Sequence, residues 1–290
     1  MKKKFLSLAL SCALLLALAG CGTNNETSSG QSDSSPQVQT VTDMTYSITE
    51  RYYTETGEVE TLEVEGLYTG QVVDEIPNGE GTFVSESSDG DIWTYTGQFE
   101  NGLYNGQGKM TLSAESDDQD ENLDFEVGTF IDGLFTPTTY ELFNTISSFA
   151  TADYSISDEN RDFMELNSDL FPAVTAEAQS KLSNFVDSSI TYPMMTKTLD
   201  GLGGKFYHCP NAYVIQIFQT KMHGHDVTEI ICSDADRNVY YILYDGVLPD
   251  VYDESTIEFT AMPVSASGYE NVSGGFTNTI VMIGGSVGLV

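Results

Sequence analysis

Basic residues are scarce in this chain of 290: 11 Lys and Arg stand against 44 Asp and Glu, for a formal net charge of −33. Such a surface repels phosphate backbones and anionic lipid head groups, and it favours cations or basic partner patches. Histidine is rarer still, with only His208, His223 and His225. No His/Asp/Glu constellation for hydrolysis can be assembled from three histidines so close in sequence, and no catalytic residue is expected. Cysteine is sparse as well. Cys12 and Cys21 lie near the start, and Cys209 and Cys232 are the pair left over. An oxidising compartment permits that pair a disulfide. A simple hairpin centred near Met222–His223 would set Tyr213, not Cys209, opposite Cys232, so the pairing stays open. Long apolar runs are missing too, since Phe5–Ala19 is shorter than the about 20 residues of a comfortable membrane span. What is present is 40% apolar and 11% aromatic residues, enough for real cores and, at this length, for two modest domains.

The start reads Met1-Lys2-Lys3-Lys4, then the apolar run, then small residues. A basic start, a short greasy core and a small-residue exit predict a secretory signal peptide over 1–20. The exit, Leu18-Ala19-Gly20-Cys21, resembles the lipobox of bacterial lipoproteins. The resemblance implies that Cys21 becomes the acylated N-terminus, carrying at least two chains of the palmitate type. Two chains hold stably where one holds marginally, so the chain is expected on the extracytoplasmic face of the cell membrane. Residues 21–42 are rich in Ser, Thr, Gly, Asn and Gln. They carry too little apolar surface to fold and predict a flexible tether.

A repeat follows. Tyr68-Thr69-Gly70-Gln71-Val72 with Gly79-Glu80-Gly81 aligns without a gap to Tyr95-Thr96-Gly97-Gln98-Phe99 with Gly106-Gln107-Gly108. In the second copy Tyr95, Gly97 and Phe99 share one strand face. Asn101-Gly102 supplies the turn, and Gly106, Gly108 and Met110 lie on one face of the returning strand. Each unit thus reads as a β-hairpin whose inner glycines leave room for a neighbour's aromatic ring, with stacking supplying the core. The pattern resembles the MORN repeat, of the form Y-x-G-x-[FWY]-x-[ND]-G-x-x-x-G-x-G. The first copy departs from it, with Glu75 at the turn glycine and Val72 at the aromatic. A third, partial copy holds Gly128 and Gly133 and fails at Thr136-Pro137, as a terminal unit would. Tyr46–Thr54 and Val59–Val64 flank a turn and predict a lead-in hairpin over the first open edge. The repeat domain is placed at 43–136. In it, Ser113–Asp124 carries six carboxylates without the turn glycine of an EF-hand, and is expected to be a solvated insertion. MORN arrays in other proteins are mostly scaffolds for protein contacts.

Residues 137–200 predict a helical connector. Asp158–Leu166 begins it, Thr175 caps Ala176–Asp187, and Pro193–Leu199 adds a short turn. From 201 to 290 five strands are expected: Lys205–Gln219, Val227–Cys232, Val239–Tyr244, Thr256–Met262 and Thr279–Ile283. Five strands in this order suit a small OB-like barrel. The Asp169-Leu170-Phe171-Pro172-Ala173 lead-in, Asn238-Val239-Tyr240-Tyr241-Ile242 and Tyr269-Glu270-Asn271 with Gly274-Gly275 resemble the tRNA-anticodon-like OB-fold domain at the C-terminus of many Firmicute lipoproteins. That resemblance implies fold and location more than activity. Residues 201–290 hold three basic and ten acidic side chains, the wrong charge for a single-strand groove.

Four short motifs compete with bland readings. Gly284-Gly285-Ser286-Val287-Gly288 spells a nucleophile elbow, but only two residues follow it and no helix can form. Gly201-Leu202-Gly203-Gly204-Lys205 lacks the spacing of a phosphate loop and reads as a turn. Asp234-Ala235-Asp236-Arg237-Asn238 opens like a calcium loop and does not continue as one. His223, His225 and Asp226 are the weak candidates for a zinc or copper site; an exposed hairpin tip is the competing reading. The expectation is a mainly β, lipid-anchored binding or scaffolding protein at the cell envelope. It has stacked β-hairpins, a helical connector and a five-stranded OB-like barrel. No metal, cofactor or nucleic acid is expected, and the partner is a protein. A ligand- or metal-sensing lipoprotein is the alternative, and an envelope hydrolase the third.

Overall fold

A computed structural model describes residues 37–113, 122–270 and 274–290. Cys21, the signal peptide, most of the tether and residues 114–121 of the acidic insertion lie outside the described residues. Strand β1 (Val38–Tyr53) pairs antiparallel with β2 (Val59–Val73). The strand begins at Val38, inside the span expected to be tether. A polar stretch with little to bury still forms an edge strand when its partner, here Gly70 to Val73, offers a backbone ladder. Strand β2 runs without a break from the lead-in hairpin into the first repeat, so the two share a strand.

Next come β3 (Ile76–Glu86), β4 (Ile92–Glu100), β5 (Leu103–Ser113), β6 (Asn122–Ile131) and β7 (Leu134–Phe135). The seven strands form one sheet in sequence order. The turns at Asn101-Gly102 (φ +52° and +84°) and Asp132-Gly133 (+49° and +80°) have both central residues left-handed, the hairpin geometry that matches strand twist. In the first copy Glu75 takes that conformation, at φ +65°, without glycine's freedom.

The inner face carries Tyr68, Phe83, Tyr95, Phe99, Tyr104 and Phe130, all buried. Across it runs a row of glycines: Gly70 opposite Gly81, Gly81 opposite Gly97, Gly97 opposite Gly108, and Gly108 opposite Gly128. A Cβ on Gly81 would fall inside the Tyr68 ring, and one on Gly108 inside the Tyr95 ring. The glycines therefore make room for the tyrosine of their own repeat, not for a neighbour's, because the ring lies back over the hairpin partner. Units meet through ring edges instead: Tyr68 on Phe99 at 4.9 Å and Tyr95 on Phe130 at 5.0 Å. Each tyrosine hydroxyl donates to a glutamine carbonyl three residues on, Tyr68 to Gln71 at 2.6 Å and Tyr95 to Gln98 at 2.9 Å. The same glutamines' Oε1 atoms accept from the amides of Glu80 and Gln107. They cover Gly79 and Gly106, where a Cβ would collide with them.

After β7 the chain turns into α1 (Thr139–Ile146), held by a Thr138/Glu141 capping box. The Glu141 carboxylate also accepts from Gln107 and Thr129 and rests against Gly128. Helix α1 thus occupies the place where a complete third repeat would continue. Helices α2 (Asp158–Leu166), α3 (Ala176–Ser183, capped by Thr175) and α4 (Tyr192–Lys197) follow. Helix α3 stops at Ser183, four residues short of expectation, since Val186 bridges Phe206 and Phe185 packs on Phe163.

Strands β8 (Tyr207–Met222), β9 (His225–Ser233), β10 (Val239–Asp245), β11 (Thr256–Glu270) and β12 (Phe276–Leu289) close a barrel in the order β10-β12-β11-β8-β9. Only β10 with β12 is parallel among these pairs. Tyr240, Ile242, Ile280 and Met282 face the barrel core, while Tyr241, Leu243, Val281 and Ile283 pack with Leu142, Met164 and Leu182 of the helices. Strands buried on both faces read as unbroken apolar runs. Asn160 pins the two layers: its amide donates to the Pro263 carbonyl at 3.3 Å and its oxygen accepts from Gly204 at 3.0 Å. Among the described residues no helix is long and apolar enough to cross a membrane. Sheet, helices and barrel belong to one compact unit.

Candidate functional site

The β8–β9 turn brings the barrel against the sheet. His223 (φ +50°) and Gly224 (+81°) repeat the turn geometry of Asn101-Gly102. Gly224 at the tip is exposed, but the His223 side chain is not, contrary to the sequence reading. The His223 side chain is 10% exposed, edge-on to Phe135 at 4.9 Å, with Nδ1 3.2 Å from the Glu126 carboxylate. Gly224 lies against the Tyr53 ring, which a Cβ would strike. An aromatic wall and a carboxylate replace the water a solvated tip would have.

The three candidate metal ligands diverge. His223 faces Glu126, His225 faces Asp245 at 3.1 Å, and Asp226 pairs with Lys221 at 2.6 Å. The hydrogen bond to Asp245 raises the His225 imidazole above its ordinary value, against the opposing effect of burial. Among the described residues no group of three or more His, Cys, Asp or Glu side chains is arranged to hold a metal.

Between the inner sheet face and the hairpin tip lies a cavity of about 920 Å³. Strand β1 roofs it by arching across the sheet. Ile48 joins the aromatic core, and the Arg51 amide donates to the Gly133 carbonyl at 3.3 Å. The apolar wall holds Leu62, Val64, Trp93, Met110 and Phe125, with Trp93 edge-on to Phe125 at 5.2 Å. Glu50 enters from the roof and accepts from the Tyr104 hydroxyl at 2.7 Å. Burial pushes the Glu50 carboxyl up, the Tyr104 hydrogen bond opposes this, and the charge of Glu126 adds to it. Glu55, Glu63, Glu65 and Glu86 also line the space, against Arg51 and Lys221.

The other sequence candidates take structural places. Cys209 and Cys232 are buried free thiols, both raised by burial, in one core cluster. A bulge between Val214 and Gln216 sets Val214 opposite Cys232, one residue from the expected Tyr213, while Cys209 pairs with Phe259. Asp234 closes its own turn, accepting from the Asp236 and Asn238 amides and the Tyr240 hydroxyl. Ser286 sits within β12 opposite Thr260. Of the residues that form the cavity, Glu50, Trp93 and Glu126 carried no sequence signal. Gln71 and Gln98, which bridge the strands of each repeat and do not line the cavity, did, being repeated at the same place in both copies.

A MORN repeat model matches residues 68–90 and 95–113, which are the end of β2 with β3 and its turn, then β4 with β5. No curated protein and no solved structure matches the chain.

Proposed function

We propose that this protein is a lipid-anchored extracytoplasmic binding module, held by Cys21 and without a catalytic role, whose ligand place is the cavity between the repeat sheet and the barrel tip. The observation that carries the reading is the cavity itself: about 920 Å³ and concave, with an apolar and aromatic wall of Leu62, Val64, Trp93, Met110 and Phe125 beside a polar margin rich in glutamate. Sites for small ligands have this size and an apolar wall of this kind. The parallel pairing of the third and fifth barrel strands supports the OB-like reading of the C-terminal region, and with it the likeness to envelope lipoproteins. The divergent partners of His223 and His225 favour ligand binding over metal sensing.

Two experiments test this. Cys21→Ser is expected to release the protein from membranes or block its processing; unchanged membrane partition removes the anchor from the reading. Leu62→Phe, at a residue 55% exposed on the cavity wall, narrows the space without entering the packed core. A thermal-shift screen of small molecules should find saturable stabilisers of the wild type that this variant loses. Stabilisers that act equally on both place the ligand elsewhere.

A further inference from the structure

Resting on that reading, we propose that the cavity selects a small organic cation with an apolar body, its ammonium or guanidinium group at Glu50 and its body against Trp93 and Phe125. The charge around the cavity is one-sided, and its two permanent cations are already engaged. The Arg51 guanidinium donates to the Asp132 carbonyl at 3.3 Å, and the Lys221 ammonium pairs with Asp226 at 2.6 Å. Glu50 has the Tyr104 hydroxyl on one oxygen but no cation among its hydrogen-bond and ion-pair partners in the described residues. A half-buried carboxylate beside an apolar wall gains from an opposite charge more than an exposed one does. Trp93 and Phe125, edge to face at 5.2 Å, give the apolar body an aromatic surface to lie on. An anion of the same shape meets carboxylates and no free positive group. A neutral one leaves Glu50 as it stands.

Trp93 is the single tryptophan of the chain and reports on its own cavity. The mature chain is titrated with n-octylammonium, n-octanol and octanoate, three probes with one apolar body and three head charges. Octylammonium is expected to change Trp93 emission saturably and to bind about tenfold tighter than octanol, with octanoate weaker than both. Glu50→Gln keeps the hydrogen bond from Tyr104 and should lose most of the preference for octylammonium while leaving octanol unchanged. Glu177→Gln, exposed on α3 and outside the cavity wall, measures general attraction to a chain of net charge −33 and should change nothing. Octanol binding as tightly as octylammonium overturns the cation selectivity and leaves the binding cavity standing. Equal losses in Glu50→Gln and Glu177→Gln overturn it as well. No saturable response to any of the three overturns both the selectivity and the cavity reading. The comparison of the three probes on the wild type decides the matter even if a variant fails to fold.

Discussion

The repeat sheet and the barrel are both β, yet they reach order by different routes. In the sheet every device is local and recurs: a tyrosine over its own glycines, a hydroxyl on a carbonyl three residues on, a glutamine across to the returning strand. Each strand pairs with its sequence neighbour, so the sheet resembles a one-dimensional stack. The barrel closes through β10 on β12 and β11 on β8, strands far apart in sequence, around a core without a repeating unit. Local stacks fail in pieces, whereas a barrel closed by distant strands fails together.

The largest expected effect comes from Tyr95→Ala. It removes a ring stacked on Tyr104 at 3.9 Å and edge-on to Phe99 and Phe130, and should cost about 3–5 kcal/mol in chemical denaturation. Hydrogen exchange should then show β3 to β6 opening while barrel amides stay protected. Simultaneous loss in both regions would abolish the contrast. Gly97→Val follows, at about 1–3 kcal/mol, because its branched side chain meets the Gly108 Cα 2.5 Å away, on backbone that cannot step aside. Gly288→Ala is its barrel counterpart, with nothing within 4 Å of the added carbon, and an unchanged melting curve is expected there. Glu75→Gly should stabilise by about 1 kcal/mol, since it relieves a left-handed glutamate at a repeat's turn. A loss of stability would mean that the glutamate side chain outweighs its backbone.

The smallest effect is a pH dependence at the junction of the two regions. The Glu50 carboxyl is raised in the folded chain, so the stability it contributes is fully present below its unfolded value of about 4.3 and is lost as pH rises through the folded value. Glu50→Gln should therefore melt slightly above the wild type at pH 7, and the gap should close by about pH 4. A gap that widens on acidification would reverse the sign argued for Glu50.

Much of this was legible in the residues. Matched spacing placed the hairpins, turn pairs such as Asn101-Gly102 placed their reversals, and Thr175 placed the start of α3. Alternation in Thr256–Met262 placed a barrel strand, though not its continuation to Glu270. The misses share a cause. Val38–Thr42, helix α1, the early end of α3 and the buried His223 depend on what the rest of the chain sets beside them. A histidine and a glycine between strands spell an exposed turn in any local reading. Only the fold puts Phe135 and Glu126 around that histidine. The cavity was illegible for the same reason, since Glu50, Trp93 and Glu126 come from three strands with no motif joining them. In α1, Thr138 and Glu141 did spell a capping box, but beside a helix of eight residues it made too short a signal.

The glycine row from Gly70 to Gly128 has a mechanical consequence. It crosses five strands at one level, and along that line the inner face is covered only by side chains that reach in from elsewhere, the Tyr68 ring over Gly81, the Tyr95 ring over Gly108 and the Glu141 carboxylate against Gly128. With no Cβ atoms to meet across it, such a line is where the backbone can curve toward its inner face, down to contact with those rings.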